Sequence, residues 1–151
     1  AEGCIDLGLL RGTPDDLVER DAHALFFPHG VGHLLGLDVH DMEDLGDIAG
    51  YAPGRKRSDR FGLGYLRLDR PLHAGMVVTI EPGFYQVPAL LNDPARRDRF
   101  ADVANWERLD AFEDVRGIRI EDDVLVTSMG CEVLTAALPT AATEIEARVA
   151  G

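Results

Sequence analysis

The sequence predicts an α+β protein, a largely antiparallel sheet with helices on one side. Three observations carry that expectation. A well-signalled helix start, "GTPDDLVERDAH", lies early; a β-branched run, "GMVVTIEPGFY", lies near the middle; and an alternating stretch, "GIRIEDDVLVT", precedes "GCEVLT" across a Ser-Met-Gly turn. At 151 residues, 46% hydrophobic and 28% charged, the chain fits one soluble globular domain able to bury a core. There is no internal repeat and no low-complexity segment.

Taken in order, the opening "AEGCIDLGLLRG" has no capping residue ahead of Ile5, Leu7, Leu9 and Leu10. It reads as the last turns of a helix begun upstream, so the chain looks like a piece of something longer. Thr13 can cap a helix whose first position is Pro14, with Asp15 and Asp16 at the positive end of its dipole; the helix is expected from Pro14 to about His23. Alternation at Ala24–Phe27 and Leu35–Val39 predicts strand, tight loop, strand, with Gly30, Gly32 and Gly36 opposing a helix between them. Asp44–Arg70 is Gly-rich and charged, a long surface loop. Its short basic cluster at Gly54–Arg60 is expected to be solvated. Met76–Ile80 is a buried strand stopped by a turn at Pro82-Gly83. Asn92–Val115 is polar and partly helical. The two C-terminal β-type stretches form a hairpin. The tail closes with a helix capped by Thr140 or Thr143, with Ile145 and Val149 on one face.

Composition narrows the function classes. A net charge of -12 argues against nucleic acid, which needs clustered Lys and Arg. No apolar run approaches the ~20 residues of a membrane span, and no leader precedes the first element. Cys4 and Cys131 form no CxxC pair and suit free thiols in a reducing cytoplasm.

The chemistry concentrates in "FFPHGVGHLLGLDVHD", which holds three of the five histidines: His29, His33 and His40. His29 and His33 have the spacing of a zinc pair, but that pair needs a helix, which Gly30 and Gly32 disfavour. In extended backbone, residues four apart still share a face. Two glutamates stand where core strands should be apolar. Glu81 ends the run Met76–Ile80, and Glu121 interrupts Ile118–Val126. A buried carboxylate costs several kcal/mol unless it is paired or holds a metal. One reading is a salt bridge, Arg119 with Glu81 or Glu121, or an exposed strand end. The other is an N,O,O ligand set of one imidazole and two carboxylates, suited to Mn²⁺, Zn²⁺, Co²⁺ or Fe²⁺, with the carboxylates favouring the harder ions. His23 and His73 are expected to be solvated, Trp106 to pack, and Asp38 or Asp41 to orient His40 or to shape a turn. Tyr85 is a candidate for the pocket rim.

"PHGVGHLLGLDVHD", "GMVVTIEPGFY" and "GIRIEDDVLVT", in this order, resemble the C-terminal part of the metal-dependent aminopeptidase P and prolidase family, whose catalytic domain is the pita-bread fold. The resemblance covers essentially the whole chain, and the long interval holding "ALLNDPARRDRF" is closer to the prolidase (Xaa-Pro dipeptidase) branch. It implies that residues 1–151 are the C-terminal segment of the catalytic domain, an α+β pita-bread portion. It implies that His33 and Glu81 bind one metal of a pair while Glu121 bridges both. His29 and His40 would flank the X-Pro substrate, and Arg119 would hold Glu121 in place. The ion expected is Mn²⁺. The chemistry implied is hydrolysis by a water activated between two metals. The family's two aspartate ligands and its N-terminal domain precede the region seen here. The isolated chain is therefore expected to hold at most one ion and to be inactive. It is also expected to pair with the missing N-terminal segment or with itself as a homodimer or swapped assembly. Competing readings are a non-catalytic pita-bread peptide-binding module and an unrelated α+β domain whose His and Glu are structural.

Overall fold

The computed structural model describes all residues, Ala1–Gly151. Seven α-helices lie at Glu2–Asp6 (α1), Pro14–Glu19 (α2), Asp47–Gly50 (α3), Pro88–Leu91 (α4), Pro94–Arg99 (α5), Trp106–Leu109 (α6) and Ala142–Ala150 (α7). Five strands lie at Val77–Ile80 (β1), Gly83–Tyr85 (β2), Gly117–Arg119 (β3), Asp122–Val126 (β4) and Cys131–Val133 (β5). They pair antiparallel throughout, in two ladders, β1-β4-β5 and β2-β3. The chain divides into two compact units. The first comprises Ala1–Gly30, Arg57–Leu66 and Gly83–Arg119; the second comprises Val31–Lys56, Arg67–Pro82 and Ile120–Gly151.

The first unit holds α1, α2, α4, α5, α6 and the β2-β3 ladder. Its core is apolar, built on Leu9, Leu10, Leu17, Leu25, Phe26 and Phe100; each such side chain contributes roughly 1.5–3 kcal/mol by leaving water. α2 starts as expected, with Thr13 Oγ1 accepting the Asp16 N–H at 3.3 Å, but it ends at Glu19 and not near His23. The cause is Asp21, held in the left-handed region at φ 62°. Its buried carboxylate accepts from Arg60 Nη2 at 2.6 Å and lies 3.4 Å from Arg99 Nη2. Arg60 therefore anchors a buried acid, correcting the expectation that the Gly54–Arg60 cluster is merely solvated.

The strand expected at Ala24–Phe27 is a 3₁₀ turn, Ala22–Leu25. Ala22, Ala24, Leu25 and Phe26 are all buried. With no exposed face, apolar period carries no information about backbone type. His23, expected to be solvated, has a buried Nδ1 without a hydrogen-bond partner, and desolvation holds its pKa below the usual histidine value. Trp106 packs partly against the core.

The second unit holds β1-β4-β5, α3 and α7. The predicted strand Leu35–Val39 does not form. The pairing lies earlier: Glu81 N–H donates to Val31 O at 2.7 Å, Thr79 N–H to His33 O at 2.9 Å and Leu35 N–H to Val77 O at 2.9 Å. Residues 31–35 thus run antiparallel to β1. Beyond Gly36 the chain turns back, with Asp41 N–H donating to Leu34 O. Leu37 is fully exposed and Val39 largely so, so their alternation marks no buried face. The long segment Asp44–Arg70 contains α3 and buried Ala49 and Tyr51, so it is not all surface loop. "GIRIEDDVLVT" splits into β3 and β4, which belong to different ladders, and β4-β5 is the hairpin. No turn separates Pro82 from the next element, since β2 begins at Gly83. The closing helix is present, but Ala141 precedes it with no side-chain cap, so neither Thr140 nor Thr143 serves.

Candidate metal centre

The register of the second unit builds the site. In β1 the side chains alternate, so Thr79 and Glu81 share a face. His33 lies opposite Thr79 in the 31–35 pairing. β4 runs on the other side of β1, with Ile80 opposite Asp122 and Ile120 N–H donating to Pro82 O. Continued by one residue, that register sets Glu121 opposite Glu81. Three neighbouring segments therefore present one imidazole and two carboxylates, whose ligand atoms all lie within 4.8 Å of one another. His33 and Glu81 are buried and Glu121 is exposed.

Hydrogen bonding settles how His33 faces its neighbours. Its Nδ1 is 2.9 Å from Leu34 O, an acceptor only, so Nδ1 carries the proton. Nε2 then points its remaining valence at Glu81 Oε1, 3.1 Å away. A bare lone pair against a carboxylate is repulsive, so the pair needs a cation between or on it, a proton or a metal ion. A divalent cation supplies such a charge. The N,O,O donor set fits such an ion, and Leu34 O supplies the outer hydrogen bond that fixes a ligating imidazole.

Thr79 organises this group and was read in the sequence only as a strand former. Its Oγ1 accepts the His33 N–H at 3.0 Å and donates to Glu81 Oε1 at 3.1 Å. A buried hydroxyl two residues before a buried carboxylate was the signal available.

His40 stacks edge-on against His33, ring centroids 4.4 Å apart. Its Nδ1 pairs with Glu43 Oε2 at 3.1 Å, and Glu43 Oε1 accepts from Arg67 Nε at 3.1 Å. Glu43, rather than Asp38 or Asp41, orients His40; the Asp41 carboxylate packs against Gly36. In the first unit, His29 donates from Nδ1 to Gly30 O at 2.6 Å, leaving Nε2 buried without a partner. Its ring meets Phe27 and Tyr85, and the Tyr85 hydroxyl is likewise buried and unpartnered. Arg119 ends β3, opposite Gly83.

Residues 8–128 match metallopeptidase family M24. The chain belongs to that family. It is 45% identical over 149 residues to the Xaa-Pro dipeptidase of Homo sapiens, covering 96% of this chain and 28% of that protein. It is also 45% identical over 133 residues to the Xaa-Pro dipeptidase of Stenotrophomonas maltophilia (strain K279a), covering 86% of this chain and 28% of that one. Among solved structures it is similar to Pseudomonas aeruginosa aminopeptidase PepP, at 36% identity and a TM-score of 0.60, across 99% of this chain and 26% of that chain. The fold is thus a portion of the M24 pita-bread fold, and the chain spans about 28% of the length of the Xaa-Pro dipeptidases it matches. M24 membership implies a divalent metal.

Proposed function

We propose that this chain is the C-terminal, ligand-bearing segment of the catalytic domain of a cytoplasmic X-Pro peptidase, a prolidase or Xaa-Pro aminopeptidase. The supporting observation is the buried His33 Nε2 set 3.1 Å from Glu81 Oε1, with Glu121 beside both. In this reading His33, Glu81 and Glu121 would together hold the metal. Mn²⁺ is the proposed ion, from the carboxylate-rich donor set. A bound metal pair supplies an activated water and polarises the scissile carbonyl. The chain's own residues do the rest. His40, whose Nδ1 is held by Glu43, would present its other ring nitrogen to the substrate for charge stabilisation or proton delivery to the leaving proline nitrogen, and His29 is the second residue proposed for that role.

Metal binding is the test. Equilibrium dialysis of the purified chain against Mn²⁺, with metal analysis, should give at most one ion per chain, abolished by His33→Ala in a variant that still folds. Gly-Pro hydrolysis by the chain alone should be negligible, because His33, Glu81 and Glu121 form a single ligand group and the proposed hydrolysis uses a metal pair. Turnover near that of an intact Xaa-Pro dipeptidase refutes the incomplete site. A folded chain that binds no ion favours the alternative, a non-catalytic peptide-binding module.

A further inference from the structure

Met42 stands in the left-handed region at φ 57°, and only one other non-glycine residue, Asp21, does the same. A side chain in that region is strained, and such strain collects at functional sites. The turn that Met42 makes folds Glu43 back onto His40. The Glu43 N–H donates to His40 O at 3.3 Å, and Glu43 Oε2 lies 3.1 Å from His40 Nδ1. The other carboxylate oxygen, Oε1, accepts from Arg67 Nε at 3.1 Å. Each oxygen of one carboxylate therefore has its own partner, so Arg67 fixes the direction in which Glu43 faces the ring.

All three side chains are between 40% and 46% exposed, and exposed ion pairs add little to stability. What the arrangement decides is the proton position on His40. A carboxylate only accepts, so a neutral His40 held there carries its proton on Nδ1 and leaves Nε2 bare. A neutral histidine in water prefers the opposite tautomer. His29 and His33 are also held through Nδ1, but by neutral carbonyls, Gly30 O and Leu34 O. Of the three, His40 is the one held by a charged group. Its ring stands at 84° to that of His33, centroids 4.4 Å apart, so the held edge lies beside the ligand group.

We propose that Glu43 and Arg67 are positioning residues for His40. Arg67 aims the Glu43 carboxylate, and Glu43 keeps the ring as the Nδ1–H tautomer with Nε2 turned to the substrate as an acceptor. The proposal rests on the reading of His40 as a substrate-facing residue.

Two-bond ¹H–¹⁵N spectra of histidine-labelled, chelator-treated protein read the tautomer directly, with His40→Gln identifying the His40 signals. At a pH where these signals no longer move, wild-type His40 should be mainly Nδ1–H. Glu43→Ala should return it to mainly Nε2–H, changing the tautomer ratio roughly fivefold or more, as loss of one hydrogen bond implies. Arg67→Ala should move the ratio the same way by about twofold, the size of an exposed ion pair. Added to Glu43→Ala, it should change nothing further, because Arg67 acts through Glu43. Circular dichroism checks that each variant folds. An unchanged tautomer in Glu43→Ala or in Arg67→Ala overturns the proposal, and so does an Arg67→Ala shift that persists without Glu43. The spectra are metal-free, so their failure leaves the Mn²⁺ dialysis result standing, and failed dialysis leaves the tautomer result standing.

Discussion

At the residue scale, the ligand group depends on an approach that only glycine permits. A Cβ on Gly32 would stand 1.9 Å from the Thr79 carbonyl oxygen, so the 31–35 segment would have to lift from β1. That movement would break the Thr79–His33 bonds that hold the imidazole against Glu81. Gly32→Ala should cost roughly 1–3 kcal/mol, as overpacking does, and weaken Mn²⁺ binding more than tenfold. Gly3→Ala is the control, since a Cβ there meets nothing and its helical position favours alanine. Urea unfolding and dialysis read the two effects; unchanged affinity in Gly32→Ala would show that the close approach is dispensable. His23 is the residue whose environment predicts a pH effect. Desolvation lowers its folded pKa, the amino terminus and Arg60 add to this, and the Leu17 backbone and the Asp21 charge oppose it. The unfolded chain therefore takes up the proton first as pH falls through about 6.5, and stability drops in that direction. The urea midpoint should fall between pH 7.5 and 5.5, and fall less in His23→Gln. An identical decline in both would remove His23 as the cause.

At the element scale, the elements legible in the sequence were those whose two faces differ. α2 carried its own cap, proline and acids, and the structure keeps that start. β1 and the β4-β5 hairpin were legible from β-branched residues and a turn. The legible part of the ligand group had the same basis: a buried strand cannot end in an unpaired carboxylate, which singled out Glu81. What was not legible was register. Nothing local tells the chain that pairing with β1 occupies 31–35 and stops at Gly36, because that pairing spans more than forty residues of sequence and is decided by Gly32 lying flat on Thr79. Nor did the alternation of "GIRIEDDVLVT" reveal that β3 and β4 join different ladders. Ile118 and Ile120 are exposed, so their periodicity reflects strand propensity rather than burial. Thr79 and Glu43 stayed invisible for a related reason. Each acts on a histidine distant in sequence or across a turn, and its residue type is common in purely structural roles.

At the scale of the whole molecule, two opposing surface terms set its association. β5 is an edge strand, with one side of its backbone unpaired, which templates further pairing. The second unit also exposes large apolar side chains, among them Leu37, Val39, Leu45 and Ile48, which a stable monomer seldom leaves uncovered in number. Against these stands the net charge of -12, which repels a second copy over the Debye length, about 30 Å at 0.01 M salt but only about 10 Å at 0.1 M. Apolar burial and strand pairing are short-ranged and little affected by salt, so raising ionic strength removes mainly the repulsion. The expected outcome is a chain that self-associates more as salt rises, to a homodimer or swapped assembly at 0.1 M and above, and dissociates toward monomer at 0.01 M. Light scattering coupled to size exclusion measures this directly. A monodisperse monomer at both salt concentrations, at the protein concentrations used for crystallisation, would mean that these surfaces do not drive self-association. The opposite trend, dissociation on adding salt, would mean that specific ion pairs rather than apolar contacts hold the copies together.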